Sequence, residues 1–178
     1  MDAKGNVLGK ASDRSVKGFN ATFDLANDYM QLVKRIEKGE KGLEFELFIS
    51  EFNLGRLRGE AVIRRAKALE NLTEAQQKRV AQLVLDEEVL GLIKRAMKDE
   101  DELAPVSKRF VELLDAGTLP SKKIVLDFWR ILAYTAEEAG DAALLGRCIE
   151  GLRTGFPKRE DIQKWANELE AKHKALGK

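Results

Sequence analysis

The chain has 178 residues, of which 44% are hydrophobic, with 31 Lys and Arg against 30 Asp and Glu. That apolar content excludes general disorder, and the even charge balance excludes a field that would draw the whole chain to nucleic acid or to an anionic membrane. No apolar run approaches the roughly 20 residues that cross a bilayer, so we expect no membrane span. A single Cys148 and a single His173 exclude an internal disulfide and a metal site of several His and Cys ligands.

The hydrophobic pattern changes near residue 19. Before it, apolar residues are sparse and glycines frequent, whereas after it apolar residues recur at spacings of three and four, which is typical of amphipathic helices. We therefore predict an irregular or β-hairpin N-terminal segment over residues 1–18 and one helical domain over residues 19–178.

Caps, glycines and prolines divide that domain into nine predicted helices, which begin near residues 19, 43, 59, 73, 86, 105, 120, 141 and 157. Thr73 and Gln76 have the spacing of a capping box, and Asp141 is a suitable N-cap. The acidic run Asp86–Glu88 predicts a new helix, because a helix dipole favours acidic residues in the first turn. Pro120 predicts the start of the seventh helix.

Short connections between successive helices allow either a compact bundle or a curved stack of antiparallel helix pairs. The similarity between Gly59-Glu-Ala-Val-Ile and Gly140-Asp-Ala-Ala-Leu, each opening the second helix of a pair, favours the stack. The predicted fold class is therefore all-α.

Residues 128–157 resemble a tetratricopeptide repeat, a helix-turn-helix unit of about 34 residues. Five residues fall on positions of that pattern: Trp129, Leu132, Gly140, Ile149 and Pro157. Three depart from it: Ala133, Ala136 and Leu145. The resemblance implies a right-handed stack of helix pairs whose concave side binds a protein segment, and an ordinary helical hairpin stays an alternative.

The N-terminus resembles a different family. Asp2-Ala-Lys-Gly-Asn-Val-Leu-Gly is similar to the penultimate hairpin of thioredoxin-fold proteins, with a final helix from Phe19, so that residues 2–38 match the end of such a domain. This resemblance implies that Met1 is an arbitrary start and that an exported parent carries its chemistry upstream. As written, without an apolar leader, the sequence predicts a cytoplasmic protein.

Residues suited to catalysis are few. A hydrolytic nucleophile usually needs a histidine base, and His173 is predicted to be solvated on a polar helix. The acidic run Asp99–Glu102 lacks the glycine of a calcium loop and predicts a solvated connection. Cys148 alternates with apolar residues, which predicts a buried and inert thiol. We therefore expect no catalytic residue, no cofactor and no metal.

One local charge cluster stands out. Its five cations face only one acid, Glu60, and they are Arg56, Arg58, Arg64, Arg65 and Lys67. Such a patch suits an acidic protein or peptide segment. We do not expect nucleic acid, because no aromatic residue that could stack on bases is interleaved with the cations. A merely solvated helix face stays an alternative.

These observations together predict a non-catalytic protein–protein interaction module of the tetratricopeptide-like kind. Two alternatives remain open. One is the C-terminal helical extension of a thioredoxin-like thiol-disulfide oxidoreductase whose active site lies outside this chain, and the other is an RNA-binding helical repeat, which would bind with a steep salt dependence.

Overall fold

The computed structural model describes residue 9 and residues 15–176, and this part of the chain is all-α, without a strand. The predicted fold class is thus confirmed. The described helices are α1 (Val16–Glu37), α2 (Glu44–Asn53), α3 (Glu60–Lys67), α4 (Glu74–Lys98), α5 (Leu103–Asp115), α6 (Val125–Ala139), α7 (Ala142–Gly155) and α8 (Glu160–Leu176), with a 3₁₀ turn at Glu100–Glu102. The predicted N-terminal hairpin, apart from Gly9, lies outside the described residues.

Side-chain caps fix several helix starts. α1 begins three residues earlier than predicted, because the Ser15 hydroxyl accepts a hydrogen bond from the Gly18 amide at 3.1 Å. The capping box is confirmed: the Gln76 amide donates to the Thr73 hydroxyl at 3.3 Å, and the Thr73 amide donates to the Gln76 side chain at 2.9 Å. Asp141 caps α7 as predicted, accepting from the amide of residue 144 at 2.9 Å.

The predicted break at Asp86–Glu88 is wrong, because α4 runs unbroken through it. Two of the acidic side chains have partners elsewhere, so they do not serve as first-turn residues. Glu87 accepts from the Gly59 amide at 2.6 Å, and Glu88 accepts from Arg109 at 2.8 Å. Eight helices therefore replace the predicted nine within the described residues.

The predicted start of a helix at Pro120 is also wrong, since α6 begins at Val125. Residues 121–124 form a turn first, in which the Ser121 carbonyl accepts from the amides of Ile124 and Val125 at 2.9 Å each. Pro120 itself is buried. A proline that suits a first helical turn therefore lies ahead of the helix, on the connecting segment.

The chain divides into two compact units, residues 1–87 and residues 88–178, and the division falls within α4. In unit 1, α2 packs on α1 and on α3. Its buried cluster is small: Phe48, Val62, Val80 and Leu83, with partly buried apolar residues around it. The cluster contains no residue of the exposed face of α1, which carries Val16, Phe19 and Phe23.

In unit 2, α6 packs on both α5 and α7, and α7 also packs on α8. The core of unit 2 includes Phe128, Leu132 and Leu145, which are fully buried, and Trp129, which is 3% exposed. Phe128 stacks on Phe110 with ring centres 4.6 Å apart. A dense aromatic and aliphatic core thus places α5, α6 and α7 side by side.

The backbone of α7 passes close to the indole of Trp129 at Gly151. A Cβ atom at Gly151 would lie 2.3 Å from Trp129 Cζ2, which is inside any real contact distance. Because Trp129 is buried, its ring has little freedom to move away. Only glycine fits at position 151 without a shift of the core.

Candidate protein-binding surfaces

Two of the five cations predicted to form one binding patch pack against unit 1 itself. The Arg56 guanidinium lies 5.0 Å from the centre of the Tyr29 ring, and that of Arg58 lies 4.4 Å from the Phe52 ring. Both distances are within cation–π range. Arg58 Nη1 also lies 4.0 Å from the Glu87 carboxylate. These two arginines therefore have structural contacts to give up before binding a partner.

Glu87 organises this part of unit 1. Its side chain is 9% exposed and accepts from the Gly59 amide at 2.6 Å. Gly59 precedes α3 with φ of 55°, in a region that favours glycine. The N-cap residue of α3 is Gly59 itself, which has no side chain that could cap the helix. The Glu87 carboxylate instead satisfies a backbone donor at this helix start.

The other three cations lie together in the last turn of α3. Arg64, Arg65 and Lys67 are exposed, and none of their side chains makes a hydrogen bond or ion pair with a residue that the structure describes. Cations in a last helical turn are favoured by the helix dipole, which is a sufficient reason for them to stand there solvated. The predicted patch is therefore divided into two engaged arginines and three exposed cations.

Unit 2 carries an open groove that sequence reasoning missed. Its volume is about 530 Å³. Its lining comes from the 3₁₀ turn, α5, the last turns of α6 and the first turn of α7. The groove is lined by Glu100, Leu103, Ala104, Ser107, Tyr134, Thr135, Ala136, Glu138, Ala139, Asp141 and Leu144.

The hydroxyl groups of two lining residues, Ser107 and Thr135, are hydrogen-bonded within the protein. The hydroxyls of Ser107 and Thr135 lie 2.6 Å apart, and Thr135 Oγ1 lies 3.0 Å from the Ile131 carbonyl, to which it donates. Tyr134 differs from them because 49% of it is exposed, on a helix whose other large residues are mostly buried. An exposed tyrosine beside satisfied, mostly apolar walls offers a ring and a hydroxyl to a bound segment.

The groove has one sign of charge. Glu100, Glu138 and Asp141 line it, and its lining contains no lysine or arginine. Glu100 and Glu138 are exposed, and their carboxylates make no hydrogen bond or ion pair with any residue in the described part of the chain. Residue spacing alone did not reveal this set, because Glu100 in the 3₁₀ turn lies far along the chain from Glu138 at the end of α6 and Asp141 before α7.

The residues considered for chemistry have ordinary surroundings. Cys148 is fully buried as predicted, and burial raises the pKa of its thiol to about 12. His173 is partly buried rather than fully solvated, because its ring lies against α7: Nε2 would lie 3.4 Å from a Cβ at Gly146. Among the residues that the structure describes, no group of three His, Cys, Asp or Glu could hold a metal ion.

The acidic run before α5 is the solvated connection that was predicted. Glu100, Asp101 and Asp99 are exposed, and the Asp99 carboxylate accepts from the Asp101 amide at 3.1 Å. Glu102 pairs with Arg95, with 3.6 Å between Nε and Oε2. Local hydrogen bonds and a nearby cation thus account for most of this run.

Across residues 15–176, no helix is both long enough and apolar enough to cross a membrane. Comparisons with protein-family models, with curated proteins and with solved structures found no match to this chain. What the chain does therefore has to follow from its own surfaces.

Proposed function

We propose that the chain is a non-catalytic protein–protein interaction module that holds a peptide segment of its partner in the groove of unit 2. The observation that carries this proposal is the groove itself, with the half-exposed Tyr134 in its lining. Concave surfaces between packed helices are common recognition sites, and exposed tyrosines are enriched where partners bind. Tetratricopeptide-like units use such surfaces, and the resemblance of residues 128–157 to them supports the same function.

A display selection tests this function. Random twelve-residue peptides on phage are selected on the immobilised full chain and on its Ala104→Trp variant. Ala104 is an exposed residue in the groove, so the new indole fills space that a peptide needs without entering the core. We expect enrichment on the parent chain and loss of the enriched peptides on the variant.

Ala143→Trp is the matched control, because Ala143 is an exposed α7 residue outside the groove lining. It should retain the enriched peptides. If no peptide is enriched on the parent chain, the interaction function is wrong. Enrichment could instead persist on Ala104→Trp and be lost when Arg64→Glu and Arg65→Glu are combined. That result would place the binding site at the exposed cations of α3.

The second candidate function, a helical extension of a thioredoxin-like oxidoreductase, is favoured by a specific feature of α1. Val16, Phe19 and Phe23 are 79%, 65% and 59% exposed, and their spacing of three and four places them on one helix face. Such an apolar face suits burial against another structural element. Its position next to the thioredoxin-like N-terminal residues supports an upstream domain as that element.

The mass of the natural polypeptide in its native cells tests the second candidate. A species clearly heavier than 20.0 kDa, with thioredoxin-like sequence before residue 2, would support it. A species of 20.0 kDa would reject it and leave the interaction module alone.

A further inference from the structure

We propose that the groove of unit 2 selects a basic segment of its partner, one in which Lys or Arg alternates with apolar residues. This inference rests on the proposed interaction function and adds the chemistry of the bound segment. Three features of the groove determine that chemistry. They are the carboxylates of Glu100, Glu138 and Asp141, which we call the rim charges, the apolar part of the lining, and Tyr134.

The three carboxylates select the sign of the occupant. Glu100 comes from the 3₁₀ turn, Glu138 and Asp141 come from the junction of α6 and α7, and the lining that they share contains no cation. Like charges focus their field in a concave surface with low-dielectric walls. An acidic segment would meet repulsion, whereas each Lys or Arg of a basic segment gains a partner.

The same carboxylates do not suit a single metal ion. Within the described residues no three acidic side chains come close enough together to share one. Because they do not converge on one ion, they suit several separate cations, as on a peptide that carries more than one Lys or Arg. The lining also has an apolar part, which consists of Leu103, Leu144 and alanines of α5 and α6. A bound segment therefore also needs apolar side chains between its charges.

Tyr134 provides the central contact. Its ring is exposed, while the buried neighbours Ala133 and Ala136 fix the helix backbone from which it projects. Aromatic residues that are held rigidly act as anchors in interfaces, and the phenol ring also attracts a Lys or Arg by a cation–π contact. We therefore expect the ring to account for more of the affinity than any one rim carboxylate.

Three fluorescein-labelled pools of twelve-residue peptides test the inference. Alternate positions carry Lys, Glu or Ser in the respective pools, and the other positions carry an equal mixture of Leu, Phe and Ala. Fluorescence anisotropy measures binding of each pool to the full chain. We expect the Lys pool to bind best and its affinity to fall as salt rises.

Variants then locate the binding. Neutralising the rim with Glu100→Gln and Glu138→Gln should weaken the Lys pool about tenfold, and Tyr134→Ala should weaken it by about tenfold or more. The matched control is Glu150→Gln with Glu168→Gln, two exposed acids of α7 and α8 outside the groove lining, which change the net charge equally. It should stay within about twofold of the parent chain.

Three results would overturn the inference: better binding of the Glu or Ser pool, equal weakening by the groove and control variants, or no binding of any pool. Each is separable from failure of the interaction function. Peptides enriched in the display selection that the rim substitutions do not affect would keep that function and reject only the basic occupant. Because all the altered side chains are exposed, an unchanged melting temperature of each variant confirms that folding is not the cause.

Discussion

Unit 1 and unit 2 are built from helices of similar kind but bury their apolar residues to different extents. Of the largest fully buried side chains, Phe48 and Val62 belong to unit 1 and the rest to unit 2. In unit 2, α6 is packed on two sides, whereas α1 of unit 1 packs chiefly on α2. The apolar side chains of an amphipathic helix are therefore buried only where a neighbouring helix covers the face that carries them.

The two units also differ in where surface remains for a partner. Unit 1 leaves an apolar face on α1 and exposed cations on α3, while unit 2 leaves an acidic groove with an exposed tyrosine. A dense core beneath the groove holds its walls fixed, which favours recognition without rearrangement. Five predictions test these differences.

The largest effect is expected from Trp129→Ala in unit 2. The buried indole packs on the fully buried Phe128 ring and on the α7 backbone, so its removal leaves a cavity. We expect a loss of about 3–5 kcal/mol in the free energy of unfolding, measured by urea denaturation. Trp165→Ala, at a partly buried indole, is the control and should cost less. Equal losses would show that Trp129 is not central to the core.

Gly151→Ala should destabilise unit 2 by overpacking. The added methyl would overlap the Trp129 ring, and we expect a loss of about 1–3 kcal/mol in the free energy of unfolding. Gly146→Ala, at another glycine of α7, meets only ordinary contact with His173 and should be neutral or stabilising, because alanine favours helix. A stable Gly151→Ala variant would contradict the close approach of helix and indole.

The stability of unit 1 should depend on the buried carboxylate of Glu87 as well as on its apolar core. Glu87→Ala leaves the Gly59 amide without its acceptor, and we expect a loss of about 1–2 kcal/mol in the free energy of unfolding. Glu87→Gln retains an acceptor oxygen and should cost less. If both substitutions are neutral, the carboxylate does not anchor the start of α3.

The exposed face of α1 should contribute almost nothing to the stability of the 178-residue chain. Phe19→Ser and Phe23→Ser should each change the free energy of unfolding by less than about 0.5 kcal/mol. Leu32→Ala, at the buried position of the same helix, should cost about 2–5 kcal/mol. Costs at Phe19 and Phe23 that approach the Leu32 value would mean that this face is already covered.

The smallest effect is a pH dependence at the start of α8. Two hydrogen bonds from Arg159, at 2.8 and 2.6 Å, lower the pKa of Asp161 from 3.8 to about 2. Because the folded state has the lower pKa, this stabilisation is present above pH 4 and is lost as the pH falls towards 2. An NMR titration of the Asp161 carboxyl carbon measures it, and Arg159→Gln should return the midpoint towards 3.8. An unchanged midpoint in that variant would exclude Arg159 as the cause.

Local sequence chemistry predicted what depends on neighbours in the chain. The all-α class, the capping box at Thr73, the cap at Asp141 and the burial of Cys148 all follow from spacing within a few residues. The errors arose where a tertiary partner decided instead. Glu87 and Glu88 suit a helix start by composition, yet their hydrogen bonds to Gly59 and Arg109 hold them in mid-helix.

The candidate sites show the same division. A run of cations along the chain was visible as a charge cluster, but only the structure showed that Arg56 and Arg58 pack on aromatic rings while the other three stay exposed. The groove had no sequence pattern, since Glu100 lies far along the chain from the other two acids, Glu138 and Asp141. Helix packing brings them to one surface.

The sequence by itself therefore determined the all-α class, most of the helix positions, the caps at Thr73 and Asp141 and the burial of Cys148, because hydrophobic period and hydrogen-bonding capacity act over one or two turns. Tertiary structure alone decided which charges are engaged, which apolar face stays open and where a groove forms. The physical reason is that exposure and charge pairing depend on which faces of separate helices meet, and many arrangements satisfy the same helical pattern.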